Sequence, residues 1–253
     1  MSTTWDPTLY LAFDDHRARP FHDLLARVGA TTPRRVVDLG CGPGHLTQVL
    51  AARWPGAAVS ALDSSAEMVA AARGRGVEAE QADVATWTPP PDADVVVTTA
   101  VLHRVPDHHD LLPRWLAALP PQAWFALQVP GSFAAPSHAL VRDLLRLPRW
   151  AGRVEPRGDT VATPARYADV LDTAAAHVDV WETTYLHRLT GPDPVLRWIG
   201  STALRRELVA ERGVVLRRQR VAHRPQLRAA YPARPDGTTW FPFRRVFAVA
   251  RTP

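Results

Sequence analysis

Lysine and asparagine are absent from this chain of 253 residues, so all 30 of its basic residues are arginine, and Ile199 is the sole isoleucine. A GC-rich coding sequence produces this skew. It also makes every side-chain cation other than histidine a guanidinium, which grips a carboxylate through two parallel hydrogen bonds. One cysteine rules out an internal disulfide framework, and a cytoplasmic location is the default expectation. No apolar run approaches the length of a membrane span. The opening residues, Met1 to Asp6, lack the basic-then-apolar pattern of a secretion signal. No membrane partner is therefore expected. The formal charge is +5, but the arginines are scattered without a basic stripe or interleaved aromatics, so no nucleic-acid partner is expected either. No internal repeat or Gly/Ser-rich linker divides the chain. A hydrophobic fraction of 46% is ample for one complete α/β domain with a sizeable core.

What the chain does have is the stretch Val36-Val37-Asp38-Leu39-Gly40-Cys41-Gly42-Pro43-Gly44. A β-branched run ends in an acid, a glycine-spaced turn follows, and Leu46, Val49, Leu50 and Trp54 then recur at helical spacing. Strand, tight loop and helix form the opening unit of a nucleotide-binding α/β domain. The glycines alternate rather than taking the dinucleotide spacing, and Asp38 precedes them. A ligand with a cationic or zwitterionic part suits that acid better than a pyrophosphate does.

Ala58 to Asp63 reads as a second strand ending in an acid, about twenty residues past the loop, where a Rossmann-like fold places the ribose-binding acid. Ser64-Ser65-Ala66-Glu67 has capping-box spacing ahead of a helix that buries Met68, Val69 and Ala72. Met68 reads as core, with an adenine contact as the other option. Glu78 to Val84 reads as a third strand and its exit, placing Asp83 at a carboxyl end. Asp94 to Thr99 is a fourth strand, apolar in the middle as a central parallel strand should be. A helix over Leu111–Leu119 has Pro113 in its first turn, and Ala123–Val129 is a fifth strand. Helices are expected over His138–Leu147, Pro164–Ala175 and the arginine-rich Pro194–Leu227. Strands are expected over Val178–Tyr185 and Arg245–Ala250. The segment from Trp5 to Val28 reads as an N-terminal cover.

Glycines followed by acids at three successive strand ends resemble motifs I to IV of the class I S-adenosylmethionine-dependent methyltransferases, over roughly residues 34 to 130. A closer resemblance, to the trans-aconitate 2-methyltransferase family, extends over nearly the whole chain. It rests on Trp5-Asp6-Pro7 with Tyr10 to Phe13, Arg17 and Arg19-Pro20, on Asp38 to Gly44, and on Arg53-Trp54-Pro55-Gly56 with Leu62 to Ser65. Val105 to His108, Pro136-Ser137-His138, Val180 to His187 and Phe241 to Phe247 complete it. The family reads Asn-Ala-x-Leu-His/Gln-Trp after the fourth strand, whereas this chain has Thr99-Ala100-Val101-Leu102-His103-Arg104. The helical insertion with Arg205-Arg206 and Arg217-Arg218 also matches poorly.

The resemblance implies a Rossmann-like, mostly parallel sheet with an antiparallel last strand and a small helical cap. The single domain would comprise a cover (1–30), a cofactor core (31–130), cap insertions (131–177 and 190–240) and a final strand pair (178–189 and 241–251). It implies S-adenosyl-L-methionine as cofactor and methyl transfer to a carboxylate of trans-aconitate or a similar polycarboxylate. Asp38 and Gly40, Cys41, Gly42 and Gly44 would face the methionine part, Asp63 the ribose, and Asp83 with Val84 the adenine; Ser64 and Met68 also belong to the expected cofactor set. Ala100 lines the same edge, and Arg19 or Tyr10 would close over the methionine carboxylate. Cys41 reads as a small loop residue, not a nucleophile. The substrate-side set is His103, Tyr185, His187, Trp240, Arg244 and Arg245; strand alternation lets one of the two arginines face the substrate. A carboxylate with a pKa near ~4 is already ionised at neutral pH, so no general base is expected. His103, His108 and His109 are adjacent, but the transfer requires no metal and none is expected. The expected assembly is a monomer acting on a small anionic substrate. A different small-molecule acceptor, a non-catalytic cofactor-binding protein and an RNA-binding module remain alternatives, while the glycine spacing disfavours an NAD-linked oxidoreductase.

Overall fold

The computed structural model describes residues 14–148, 158–200 and 224–253. Tyr10 with the first thirteen residues of the expected N-terminal cover, and the segment carrying Arg205, Arg206, Arg217 and Arg218, lie outside the described residues. The chain divides into two compact units. One comprises Phe13–Pro130, Thr160–Thr183 and Arg245–Pro253; the other comprises Met1–Ala12, Gly131–Asp159 and Thr184–Arg244.

The first unit is built on β1 (Arg35–Leu39), β2 (Ala58–Asp63), β3 (Glu78–Gln81), β4 (Ala93–Thr99) and β5 (Trp124–Pro130). These pair in parallel in the order β3-β2-β1-β4-β5. Each connection carries a helix or a 3-10 turn, as parallel crossovers require. The helices before β5 are α1 (Asp14–Leu25), α2 (His45–Arg53), α3 (Ala66–Arg73) and α4 (His108–Ala118). Val95, Val96 and Val97 are fully buried because β4 is covered on both faces and paired on both edges. The apolar stripe of α1 (Phe21, Leu24, Leu25) is buried as its spacing predicts, along with Val28 just beyond the helix. Arg53 at the end of α2 donates to the Leu25 and Val28 carbonyls at 2.8 and 2.7 Å, closing the exit of α1.

Beyond β5 come α5 (Pro136–Leu145), α6 (Pro164–Asp172), β6 (His177–Leu189), α7 (Pro194–Gly200), α8 (Arg224–Ala230) and β7 (Thr239–Arg251). The completed seven-stranded order is β3-β2-β1-β4-β5-β7-β6, with β7 antiparallel to β5. Both long strands pass from one unit into the other, β6 after Thr183 and β7 after Arg244.

The third strand runs to Gln81 and its exit passes through Asp83, which accepts from the Ala85 amide and caps a 3-10 turn over Val84–Thr86. Three local expectations are corrected. The cap of α3 is Ser65 rather than Ser64: its hydroxyl accepts from the Met68 amide and donates to Glu67, so the box expected at Ser64 does not form. α4 begins at His108, which moves Pro113 out of the first turn and costs the bond to the His109 carbonyl. β7 begins six residues earlier than the expected Arg245; its pairing with β5 spans only Arg245–Arg251, so at Pro242 no bond to β5 is lost. The segment 131–177, expected as cap, also splits. Residues to Asp159 fall in one unit, while α6 joins the core of the other through Tyr167, Val170 and Leu171.

Candidate active site

At the carboxyl end of β1 the chain turns through Gly40, Gly42 and Gly44 with φ of 81°, 55° and 83°. A Cβ at Gly40 would meet Val101 Cγ2 at 2.1 Å, and one at Gly44 would meet the Ala72 Cα at 2.9 Å, so both glycines are demanded by packing. At Gly42 nothing lies within 4 Å of such a Cβ. The middle glycine therefore opens onto free space where a ligand can approach the backbone. The Gly40 and Cys41 amides both donate to the Leu62 carbonyl, at 2.8 and 2.9 Å, tying the turn to the end of β2.

Two acids sit against this turn. Asp63 accepts from the Gly42 amide at 3.0 Å and from the Ser65 amide at 2.9 Å, one through each oxygen. Asp38 is only 2% exposed, and one of its oxygens accepts from the Thr47 hydroxyl at 2.6 Å. Burial pushes its carboxyl up to about 6, with the Asp63 charge adding to the rise and the Thr47 hydrogen bond opposing it. Burial and the same two acids push the Cys41 thiol up to about 12, where it is no nucleophile.

The remaining expected cofactor residues ring the same sheet end. Met68 is buried in α3, Ser64 is exposed, and Asp83 is exposed beside the buried Val84. Ala100, with φ of 56°, leaves β4 in the left-handed region and is pinned there by its amide donating to the Gln128 carbonyl at 2.8 Å. β1 and β4 flank the point where the strand order reverses, the place where open parallel sheets bind ligands. Arg19 is exposed on α1 and lies 4.0 Å from Asp23.

Of the residues expected to bind substrate, His103 accepts through its carbonyl from the Thr160 hydroxyl at 2.6 Å, and its ring receives a bond from Arg104 at 3.3 Å. In the other unit, Tyr185 and His187 project from one face of β6 and stack at 6.3 Å, with His187 also stacked on Trp198 at 4.8 Å. Trp240 is 43% exposed, with the Arg234 guanidinium 5.5 Å from its ring centre. Burial alternates along β7: Phe241 and Phe243 are buried, Pro242 is exposed, and Arg244 is half-buried with its guanidinium donating to the Gly131 carbonyl at 3.2 Å. Arg245 continues the buried parity and is 5% exposed. Of the three neighbouring histidines, His108 is committed to structure: its Nδ1 meets the Val105 carbonyl and its Nε2 the Tyr167 hydroxyl at 2.8 Å. Among the described residues no group of ligands suited to a metal occurs, and no helix is long and apolar enough to cross a membrane.

A family described as a methyltransferase domain matches residues 13–189. Trans-aconitate 2-methyltransferase of Mycolicibacterium gilvum is 55% identical over 98% of this chain and 98% of its own length. The enzymes of the same name from Rhodococcus jostii and Mycobacterium tuberculosis are 56% and 54% identical, over 98% and 97% of this chain and 99% and 96% of their own lengths.

The chain belongs to the trans-aconitate 2-methyltransferase family.

Solved structures agree on the fold. An S-adenosylmethionine-dependent methyltransferase of Mesorhizobium loti superposes with a TM-score of 0.52 at 20% identity, covering 94% of this chain and 100% of that one. Phosphoethanolamine N-methyltransferase 2 of Haemonchus contortus, in complex with S-adenosyl-L-methionine, gives 0.56 at 17% identity, over 93% of this chain and 53% of its own length. In this methyltransferase family member, sequence reasoning missed Thr47, Val101 and Gln128. Thr47 was signalled only by a polar residue on the inward stripe of α2. Val101 and Gln128 act through a side chain and a carbonyl brought to the loop by other strands.

Proposed function

We propose that the chain transfers a methyl group from S-adenosylmethionine to a carboxylate oxygen of trans-aconitate or a similar small polycarboxylate, releasing a monomethyl ester and S-adenosylhomocysteine. The observation that carries this reading is the 54–56% identity, over nearly the full length, to relatives bearing that activity in their names. The geometry supports the cofactor. Gly42 leaves an open approach to the backbone, and two carboxylates flank it, which suits a ligand whose charged ends are a sulfonium and an ammonium.

When bound, the cofactor supplies a methyl group on a positively charged sulfur. The chain's own residues then have two tasks. Asp38 and Asp63 fix the ligand's orientation at the turn, Asp63 with the lone pairs left after its two amide bonds, which are free to receive ribose hydroxyls. Asp83, Val84 and Met68 would hold the adenine end, with Ser64 and Ala100 along the edge. Arginines hold the spectator carboxylates of the acid, so that the reacting oxygen keeps its full nucleophilicity. Arg245 is the stronger anchor of the two neighbouring arginines: it is removed from water, which strengthens its pull on an anion, whereas the Arg244 guanidinium serves the Gly131 carbonyl. His103 is a further substrate candidate in the unit that carries the glycine turn, Tyr185, His187 and Trp240 are the candidates of the other unit, and Arg19 would cap the methionine carboxylate. Alignment of two bound reactants supplies up to roughly 7–11 kcal/mol of the barrier reduction. No proton needs to be removed from a carboxylate ionised at neutral pH, so no general base takes part. We further infer a cytoplasmic monomer without a nucleic-acid partner, on the single cysteine and the scattered arginines.

A second reading, a different small-molecule acceptor, is motivated by the departure of the Thr99–Arg104 loop from the family pattern. Incubation with methyl-labelled S-adenosylmethionine and a panel of acids and hydroxyl compounds separates the readings. Label appearing in base-labile ester on trans-aconitate supports the first. Label only on a hydroxyl compound, in a base-stable ether, replaces it with the second.

A further inference from the structure

We propose that Thr47 is a positioning residue of the cofactor site: its hydroxyl holds the buried Asp38 carboxylate ionised beside the glycine turn and so sets the pH range over which the cationic cofactor binds. The inference rests on the S-adenosylmethionine reading and adds to it a residue and a proton.

Thr47 lies on α2, three residues past Gly44, and is 1% exposed. A hydroxyl so placed must find an acceptor inside the protein. It donates to Asp38 Oδ2 at 2.6 Å, the short distance expected of a hydroxyl bonded to an ionised carboxylate. The surroundings of Asp38 otherwise discourage its charge. Its register partners are Ala61 on β2 and Val97 on β4, neither of which can stabilise it. The acid at the end of β2 is Asp63, a like charge; the turn contributes the neutral Cys41 thiol, and the first turn of α2 carries His45. Burial and Asp63 thus favour the protonated acid, while the Thr47 hydroxyl favours the carboxylate. The sign follows. A ligand bearing positive charge prefers the ionised acid, so its affinity is full where Asp38 is ionised and falls as the pH drops through about 6. Loss of the hydroxyl shifts that fall to higher pH.

The test is isothermal titration of the full chain with S-adenosylmethionine and S-adenosylhomocysteine from pH 5 to 8.5, on the wild type and on Thr47→Val, Thr47→Ser and Asp38→Asn. The expected wild-type affinity is flat above about pH 7 and falls roughly tenfold per unit below 6, with a proton released on binding near the break. In Thr47→Val the break moves up by about one unit or more, so the affinity loss relative to wild type is largest at and below pH 6, smaller at neutral pH and least at 8.5. Thr47→Ser keeps the wild-type profile, and Asp38→Asn binds weakly with no break. A Thr47→Val loss equal at every pH, or a break that persists in Asp38→Asn and so belongs to another group such as His45, overturns the proposal. If Thr47→Val does not fold, Thr47→Ala is read in its place, and the same upward shift of the break, or its absence, decides it. Absence of binding by the wild type at pH 8 defeats the cofactor reading itself, a result distinct from binding that ignores pH.

Discussion

The carboxylate of Asp63 and the backbone amide of Gly42 are joined by a 3.0 Å hydrogen bond, so the acid at the end of β2 holds in place the one glycine of the turn that faces open space. A single side chain thus shapes the loop and, on the proposed reading, also receives the ligand. Asp63→Asn replaces one acceptor oxygen with a donor and leaves either the Gly42 or the Ser65 amide without a partner. Hydrogen bonds involving a charged group contribute about 1.5–3 kcal/mol, so cofactor affinity should fall roughly 10- to 100-fold. Titration with S-adenosylhomocysteine measures it; an unchanged Kd would remove Asp63 from the site.

The glycines of the turn are separable by substitution. Gly40→Ala drives a methyl group to 2.1 Å from Val101, on top of the left-handed backbone cost of about 1–2 kcal/mol, and should lower the thermal midpoint sharply. Gly42→Ala meets no atom of the protein and suffers only the backbone cost, yet it puts a methyl group where the ligand approaches. Thermal unfolding with and without S-adenosylhomocysteine distinguishes the two: a mainly stability-driven loss at Gly40 and a mainly binding loss at Gly42. Equal effects on both readouts would contradict the geometry.

His108 and Tyr167 set an acid limit on stability. His108 is fully buried, and its Nδ1 faces only the Val105 carbonyl, so the proton sits on Nδ1 and Nε2 accepts from the Tyr167 hydroxyl. Burial, then the neighbouring His109, lowers its pKa to about 4. Because the folded value lies below the unfolded one of about 6.5, its contribution is complete above pH 6.5 and is lost as pH falls from there through 4. Tyr167→Phe leaves Nε2 without a donor and should cost about 1–3 kcal/mol at neutral pH, read by urea denaturation. The variant should remain folded, since the ring itself still fills the core.

Arg245 and Arg244 should respond differently. Arg245→Gln removes the buried charge proposed to grip the acid, and kcat/KM for the polyanion should fall on the order of 100-fold or more while the cofactor Kd is unchanged. Arg244→Gln should cost less, because that guanidinium is engaged with the Gly131 carbonyl. Steady-state kinetics on both variants, with a parallel cofactor titration, checks the assignment. A larger loss at Arg244 would reverse it.

The parts of the molecule legible in its sequence are those governed by neighbours along the chain. Alternating glycines forced a left-handed turn after β1, apolar β-branched runs fixed the buried parallel strands, and strand polarity put Asp38, Asp63 and Asp83 at carboxyl ends near one another. Helical spacing likewise chose the buried face of α1. Short-range chemistry misled where two local signals competed, as when Ser65 rather than Ser64 took the cap, and at element starts, as when α4 began at His108 and β7 at Thr239. Tertiary structure decided the rest. It brought Val101, from the loop after β4, against Gly40, placed the Thr47 hydroxyl on a carboxylate nine residues away, closed Tyr167 over His108, and separated Arg245 from Arg244 by burial. Periodicity states which way a side chain points but not what waits there; partners, and with them charge state, arise only once distant segments have excluded water from the same place.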